Sequence, residues 1–257
     1  ICIEKNLCYP KTFYVSDLCS LDKIKNNINL PVIIKPKSPP SVFGVTGSFK
    51  VRVASSYSEL KSIIQSKSEK IPHYLIQEWL AGDESYIYFS HYYFSQKSEV
   101  LGGYVGQSIR CRPRVTGNSG CSTVVYNPDI WEEGLKFFSG FEMKGPASIE
   151  FKLNAEGQPF VIEPTVARYD YWNGVGPANG FDTAFLAYSS LCGLDFTDYK
   201  NDAPQTVYWD FARDFQVFLE AFFKKKDWTG VCLTLKSRKS FAVWAFDDPW
   251  PSLKTFP

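Results

Sequence analysis

Two alternating runs, Ser148 to Leu153 and Pro159 to Glu163, flank the turn signal Glu156-Gly157. Alternation sends successive side chains to opposite faces of a strand, so runs of this kind around a tight turn pair as an antiparallel hairpin. With Glu156-Gly157 as a two-residue turn, Glu150 lies directly opposite Glu163, and Ser148 opposite Thr165. Ile149, Phe151, Leu153, Phe160 and Ile162 then form the apolar face, and both glutamates point away from it. Opposed carboxylates with Cβ atoms about 5 Å apart repel unless a positive charge lies between them. Two answers fit the hairpin equally. One is a Mg²⁺ ion, which takes one or two carboxylates together with substrate phosphates. The other is Lys152, on the same face, neutralising a solvated pair. An acid/base dyad sharing one proton is a third reading with no further signal in its favour.

The rest of the chain is punctuated for an α+β fold with mainly hairpin links. Leu30 to Lys35 reads as a strand stopped by Pro36, Pro39 and Pro40, and Ser48 to Ala54 as its neighbour. Ser56 and Glu59 form a capping box ahead of a helix whose buried face is Leu60, Ile63 and Ile64. His73 to Glu78, Ser85 to Ser95 and Val100 to Val105 read as strands, and Arg110 to Gly120 as a basic loop that Gly117 and Gly120 let close. Pro128 opens a helix running to about Gly140, Ala147 to Thr165 is the hairpin, and Phe185, Leu186 and Leu191 mark another helix. Trp209 to Phe223 is a helix candidate followed by Lys224, Lys225 and Lys226.

Composition excludes several function classes. Lys+Arg number 28 against 27 Asp+Glu, a formal net charge of +1, which removes the cationic surface that nonspecific nucleic-acid binding needs. No window approaches the roughly 20 apolar residues of a membrane span and no signal peptide opens the chain, so a cytoplasmic location is expected. The seven cysteines are scattered, without C-x-x-C spacing and beside only two histidines, which reads as free thiols rather than a zinc site or a disulfide framework. Neither a G-x-G-x-x-G nor a P-loop pattern is present.

Two lysines join the glutamates. Lys35 ends one strand and Lys50 lies on the next, so adjacent strands can present two ammonium groups to a phosphate chain. Taken together, the strand Leu30 to Pro36, Lys50, the segment Ile76 to Glu84 and the glutamates 150 and 163 resemble the ATP-grasp superfamily, over about Pro10 to Gly193. That resemblance implies an ATP-grasp fold: two α+β subdomains with mainly antiparallel sheets gripping ATP between them, plus a C-terminal extension. It implies a remnant or linker from a missing N-terminal domain at 1–14, a small lid subdomain at 15–80, a large subdomain with the metal site at 81–200, and the extension at 201–257. It makes Lys35 and Lys50 the phosphate lysines. It gives the adenine to Gln77, Glu78, Trp79 and Leu80, the ribose hydroxyls to Glu84, and Mg²⁺ or Mn²⁺ to Glu150 and Glu163.

The implied activity is a ligase joining a carboxylate to an amine through an acyl phosphate, on amino-acid-like small molecules. Arg168 is the first choice for the guanidinium that steadies developing charge, and Arg110 and Arg112, with Arg114 in the same stretch, are candidates to bind substrate. The chain departs from the family in reading Thr165 where an asparagine is common, and in placing Arg168 one position late, with Asp170 and Asn173 as nearby candidates to complete the metal shell. Those departures favour a competing reading, a non-catalytic ATP-binding module that senses nucleotide or scaffolds an assembly. Tyr169, Tyr171 and Trp172 are candidates to shape an acceptor pocket. Phe211, Phe215, Phe218, Leu219 and Phe222, with the lysine run, fit packing onto the grasp domain as the commoner outcome, and a helix lying on a membrane surface as the alternative.

Overall fold

The structure, a computed structural model, describes residues 1–37, 51–67, 73–112, 114, 117–194, 206–223, 228–245 and 247–251. The chain divides into two compact units, Tyr9–Ala81 and a second made of Ile1–Cys8 with Gly82–Pro257.

The smaller unit is a four-stranded antiparallel sheet of β1 (Thr12–Val15), β2 (Val32–Pro36), β3 (Arg52–Ala54) and β4 (Tyr74–Glu78), in the order β1-β4-β2-β3. Helices α1 (Leu18–Ile24) and α2 (Tyr57–Lys67) complete it. Leu21 of α1 and Leu60, Ile63 and Ile64 of α2 pack against Val15, Val32, Ile34, Ala54 and Ile76 of the strands. The start of α2 follows from its sequence: Ser56 Oγ accepts from the Glu59 N–H at 3.2 Å, and Glu59 reaches back to the Ser55 N–H at 2.8 Å. Helix α1 is closed by a box of its own, Asp17 with Ser20. Lys50 lies outside the described residues.

The larger unit is built on a seven-stranded sheet. Its strands are β5 (Ile87–Phe94), β6 (Val100–Arg112), β7 (Asn118–Val124), β8 (Gly145–Leu153), β9 (Pro159–Val166), β10 (Thr206–Trp209) and β11 (Arg238–Phe241), in the order β11-β10-β7-β6-β5-β8-β9. Every pairing is antiparallel except β10 with β11. Helix α3 (Pro128–Phe138), capped by Asn127, covers one face through Ile130, Phe137 and Phe138, which meet Tyr92, Phe94, Ile149, Phe151 and Val161. On the opposite face Phe89 and Tyr104 pack with Val175 of α4 (Val175–Ala178), Trp172 and Phe181, ahead of α5 (Thr183–Cys192).

Two sequence expectations change here. Strand β6 continues through Arg112 and β7 begins at Asn118, so Arg110, Arg112 and Gly120 are sheet residues. Gly120 is required for a reason other than loop closure, because a Cβ there would stand 2.9 Å from Cβ of Asp214 in α6 (Phe211–Phe223). Beyond residue 201, β10 lies between β7 and β11, and Trp209 ends a strand where a helix was expected. The apolar residues of α6 turn inward, the commoner of the two outcomes expected for them. Phe211 and Phe218, with Leu233 of α7 (Trp228–Lys236), pack on Ile109, Cys121, Val207 and Trp209, which removes the main apolar face from any membrane-surface role. Among the described residues no helix is long and apolar enough to cross a membrane, and all seven cysteines are free.

Candidate functional site

The β8–β9 hairpin sets Glu150 opposite Glu163 and Ser148 opposite Thr165, as the alternation requires, by a different route from the two-residue turn. Leu153 pairs with Pro159, so the turn is wider: Asn154 Oδ1 accepts from the N–H groups of Glu156 and Gln158, at 3.1 and 2.8 Å. A bulge between Glu150 and Phe151 then restores the register. The bulge also changes which β9 residue faces inward. Val161 joins the core with Ile149 and Phe151, while Phe160 and Ile162 are half-buried. Glu150 is half-buried and Glu163 exposed.

Lys152 is almost buried, and its ammonium donates to the Gly82 carbonyl at 3.2 Å. Burial, the largest effect on it, lowers its pKa against the opposing fields of Cys111, Glu84, Asp83 and Glu150. The same burial pushes the Cys111 thiol up to about 12, which makes it inert as a nucleophile. Glu84 is 1% exposed, and Arg114 grips it with a two-pronged contact, Nε to Oε1 at 2.8 Å and Nη2 to Oε2 at 3.1 Å. The larger unit thus brings Glu84, Arg114, Lys152 and Glu150 into one electrostatic neighbourhood.

Among the described residues no three His, Cys, Asp or Glu side chains cluster to hold a metal ion by themselves. Two carboxylates in register suit a hard cation that completes its shell with ligand phosphates and water, so the donor set fits Mg²⁺ in that mode. Asp170 and Asn173 are engaged elsewhere, Asp170 with His91 and Ser148, and Asn173 Oδ1 with the Thr183 hydroxyl.

In the smaller unit Lys35 Nζ donates to Gln77 Oε1 at 3.0 Å, across the β2–β4 pair. Strand β4 is flanked on both sides, so the backbones of Gln77 and Glu78 serve the sheet, and the Glu78 N–H bonds Lys11 O at 2.9 Å. Trp79 and the buried Leu80 lie beyond the end of β4.

The three arginines of residues 110–114 have separate fates. Arg110 is 0% exposed: Nε contacts both Asp214 oxygens at 3.0 Å, Nη2 reaches Oδ2 at 2.5 Å, and Nη1 donates to Thr234 Oγ1 at 2.9 Å. A guanidinium spent in this way is a core cation, which removes Arg110 from the substrate-binding candidates. Arg114 holds Glu84, and Arg112 is half-buried at the end of β6. Arg168 is exposed just beyond β9. Of the aromatic residues that follow it, Trp172 stacks on Phe89 at 4.6 Å and Tyr169 bonds Thr183 O at 3.0 Å, so both serve packing, and Tyr171 is the more exposed.

His91 and Asp170 escaped the sequence reading as a pair, since 79 positions separate a strand histidine from a loop aspartate. Burial pushes the Asp170 carboxyl up, but contacts from His91, Ser148 and the Trp172 N–H outweigh it and hold the group below its ordinary value. A folded pKa below the unfolded value of about 3.9 means a contribution to stability that is full above about pH 4 and is lost as pH falls through the lowered folded value. Asp170→Asn is therefore expected to flatten the acid limb of the stability profile, read as urea midpoints from about pH 5 to about pH 3.

Solved structures share this architecture. N5-carboxyaminoimidazole ribonucleotide synthetase, in its ADP complex, superposes with a TM-score of 0.65 at 11% identity, over 86% of this chain and 57% of that one. The chain has the ATP-grasp fold. An L-amino acid ligase from Bacillus licheniformis matches with a TM-score of 0.53 at 17% identity, over 74% of this chain and 45% of that one. D-alanine-D-alanine ligase from Helicobacter pylori matches with 0.51 at 16%, over 75% and 55%. No protein-family model and no curated protein matches the sequence. The chain spans about half the length of these ATP-grasp structures.

Proposed function

We propose that this chain is the nucleotide-binding part of an ATP- and Mg²⁺-dependent ligase that joins a carboxylate to an amine. The register of Glu150 against Glu163 on an ATP-grasp sheet carries the reading. Lys35 and Lys50 would bind the phosphates, the segment Gln77 to Leu80 the adenine, with Trp79 and Leu80 offering the backbone beyond β4, and Glu84 the ribose. Arg114 holds the Glu84 carboxylate by both oxygens, which fixes its orientation. Mg²⁺ held by Glu150 and Glu163 would supply charge neutralisation at the phosphates. The substrate carboxylate attacks the γ-phosphorus, an O–P bond forms and the bond to ADP breaks. The amine then attacks the acyl carbon, a C–N bond forms, phosphate leaves and the amine proton passes to solvent. Arg168 steadies the charge that develops at the acyl group, and Arg112 is a candidate to hold the substrate carboxylate.

The L-amino acid ligase and D-alanine-D-alanine ligase among the similar structures favour amino-acid-like substrates. A non-catalytic ATP-binding module is the second reading, favoured by Thr165 opposite Ser148 where the family commonly has asparagine, and by the loss of Arg110 to the core. Release of ADP against a panel of amino acids and amines separates the two. Carboxylate-dependent ADP supports the ligase, and ATP binding with no such ADP in any mixture leaves the module. Glu163→Gln is expected to weaken ATP binding at least about tenfold in the presence of Mg²⁺ and to leave it unchanged in chelator. Equal affinities in Mg²⁺ would remove the metal assignment.

A further inference from the structure

Strand β9 ends at Val166, and the next residue, Ala167, has a φ of +58°, a left-handed conformation that a side chain with a Cβ adopts only where its surroundings impose it. Its N–H bonds Pro146 O at 3.0 Å. Three residues later the Asp170 side chain, 14% exposed, lies between His91 Nε2 at 3.1 Å and the Ser148 hydroxyl, and accepts from the Trp172 N–H at 2.8 Å. The residues around it are tied down as well. The Tyr171 hydroxyl donates to Asp210 at 2.6 Å beneath the Arg213 guanidinium, and Tyr104 donates to the Trp172 carbonyl at 3.0 Å. Arg168 stands between these fixed points, exposed, and its side chain makes no hydrogen bond or ion pair among the described residues.

A carboxylate and an imidazole taken out of water are a costly way to anchor a loop, since apolar side chains could do so without losing hydration. What the polar pair adds is direction. Ser148 and His91 project from adjacent strands, β8 and β5, and they fix the carboxylate from two sides, two residues from Arg168. We propose that Asp170, locked by His91 and Ser148, is a positioning residue that holds Arg168 in the orientation acyl transfer requires. This rests on the ligase reading above. Strain at Ala167 belongs to the same device: the chain is turned into a left-handed conformation so that Arg168 leaves the sheet at a set angle.

Trypsin cleavage at the Arg168–Tyr169 bond reads the segment directly and needs no turnover. In the full chain, Asp170→Asn is expected to be cut there about tenfold faster than wild type, with the other sites unchanged. Should that variant fail to fold, Ser148→Ala removes the hydroxyl that donates to the carboxylate and is expected to raise the same rate about threefold. Ala167→Gly relieves the strain, so it should melt higher and yet release ADP about tenfold more slowly from Mg²⁺-ATP and the mixed standard amino acids, with KM for ATP within about twofold. A role in stability alone would raise the melting temperature without that loss of kcat. Equal cleavage at Arg168 in wild type and Asp170→Asn overturns the proposal, as does an unchanged kcat in Ala167→Gly. A wild-type chain that binds Mg²⁺-ATP but releases no ADP overturns the ligase reading instead, and the trypsin comparison still decides whether Asp170 holds the segment.

Discussion

Asp214→Ala is expected to destabilise the larger unit by about 3–5 kcal/mol, since it leaves a buried guanidinium without its counter-ion. Arg110 and Asp214 are both 0% exposed, and the carboxylate also accepts from Trp209 Nε1 at 2.6 Å. Arginine cannot shed its proton to escape the penalty, so the charge remains and the fold bears the cost. For a unit of this size each kcal/mol moves the melting temperature by about 2–4 °C, which makes a fall of about 10 °C the expected reading in a thermal melt. Replacing both partners, as Arg110→Met with Asp214→Leu, should recover most of the loss, because an apolar pair of similar volume removes the desolvation penalty instead of exposing it. ADP release per folded molecule should be unchanged in the double variant. A double variant that melts like wild type but is inactive would return Arg110 to the substrate site.

The same residue shows where sequence reasoning reached its limit. Arg110, Arg112 and Arg114 look alike in a row with a proline and two glycines nearby, and local composition favours a basic loop. Which of them is buried depends on Asp214 and Thr234, more than 100 positions away on helices that follow β10 in the chain. Strand β7, Asn118 to Val124, was illegible for a related reason. Its Ser, Gly, Cys and Thr side chains are small and carry no apolar alternation, and Ser108, Ser119 and Ser122 bond one another inside the unit. The hairpin was legible because its signal is local. Alternation and a turn residue nearby are enough to pair Glu150 with Glu163, and the wider turn and the bulge compensate without disturbing that pair. The elements whose periodicity and caps are local, α2, α3 and β8 with β9, stand close to where those signals put them. His91 with Asp170, and Glu84 with Arg114, are partnerships of the folded sheet alone.

Arg168→Met is expected to lower carboxylate-dependent ADP release about 10²- to 10³-fold while leaving the affinity for Mg²⁺-ATP within about twofold. The split follows from where charge changes. Nucleotide binding engages phosphates, adenine and ribose, for which other residues are proposed, whereas a guanidinium beside the acyl group interacts most strongly as negative charge builds on oxygen. Methionine keeps the length and apolar stem of the side chain, so an exposed position should tolerate it with little change in stability. Arg168→Lys tests geometry separately from charge. A lysine ammonium is a point charge without the planar fork, and it should recover about tenfold at most, because the position of the donors and the sign of the charge both matter. If Arg168→Met instead weakens ATP binding and spares kcat, the residue belongs to the phosphate site and the acyl-transfer role passes to Arg112. Equal loss in the methionine and lysine variants, with Ala167→Gly also slow, would mean that the donors must stand where the Ala167 turn and the Asp170 clamp hold them.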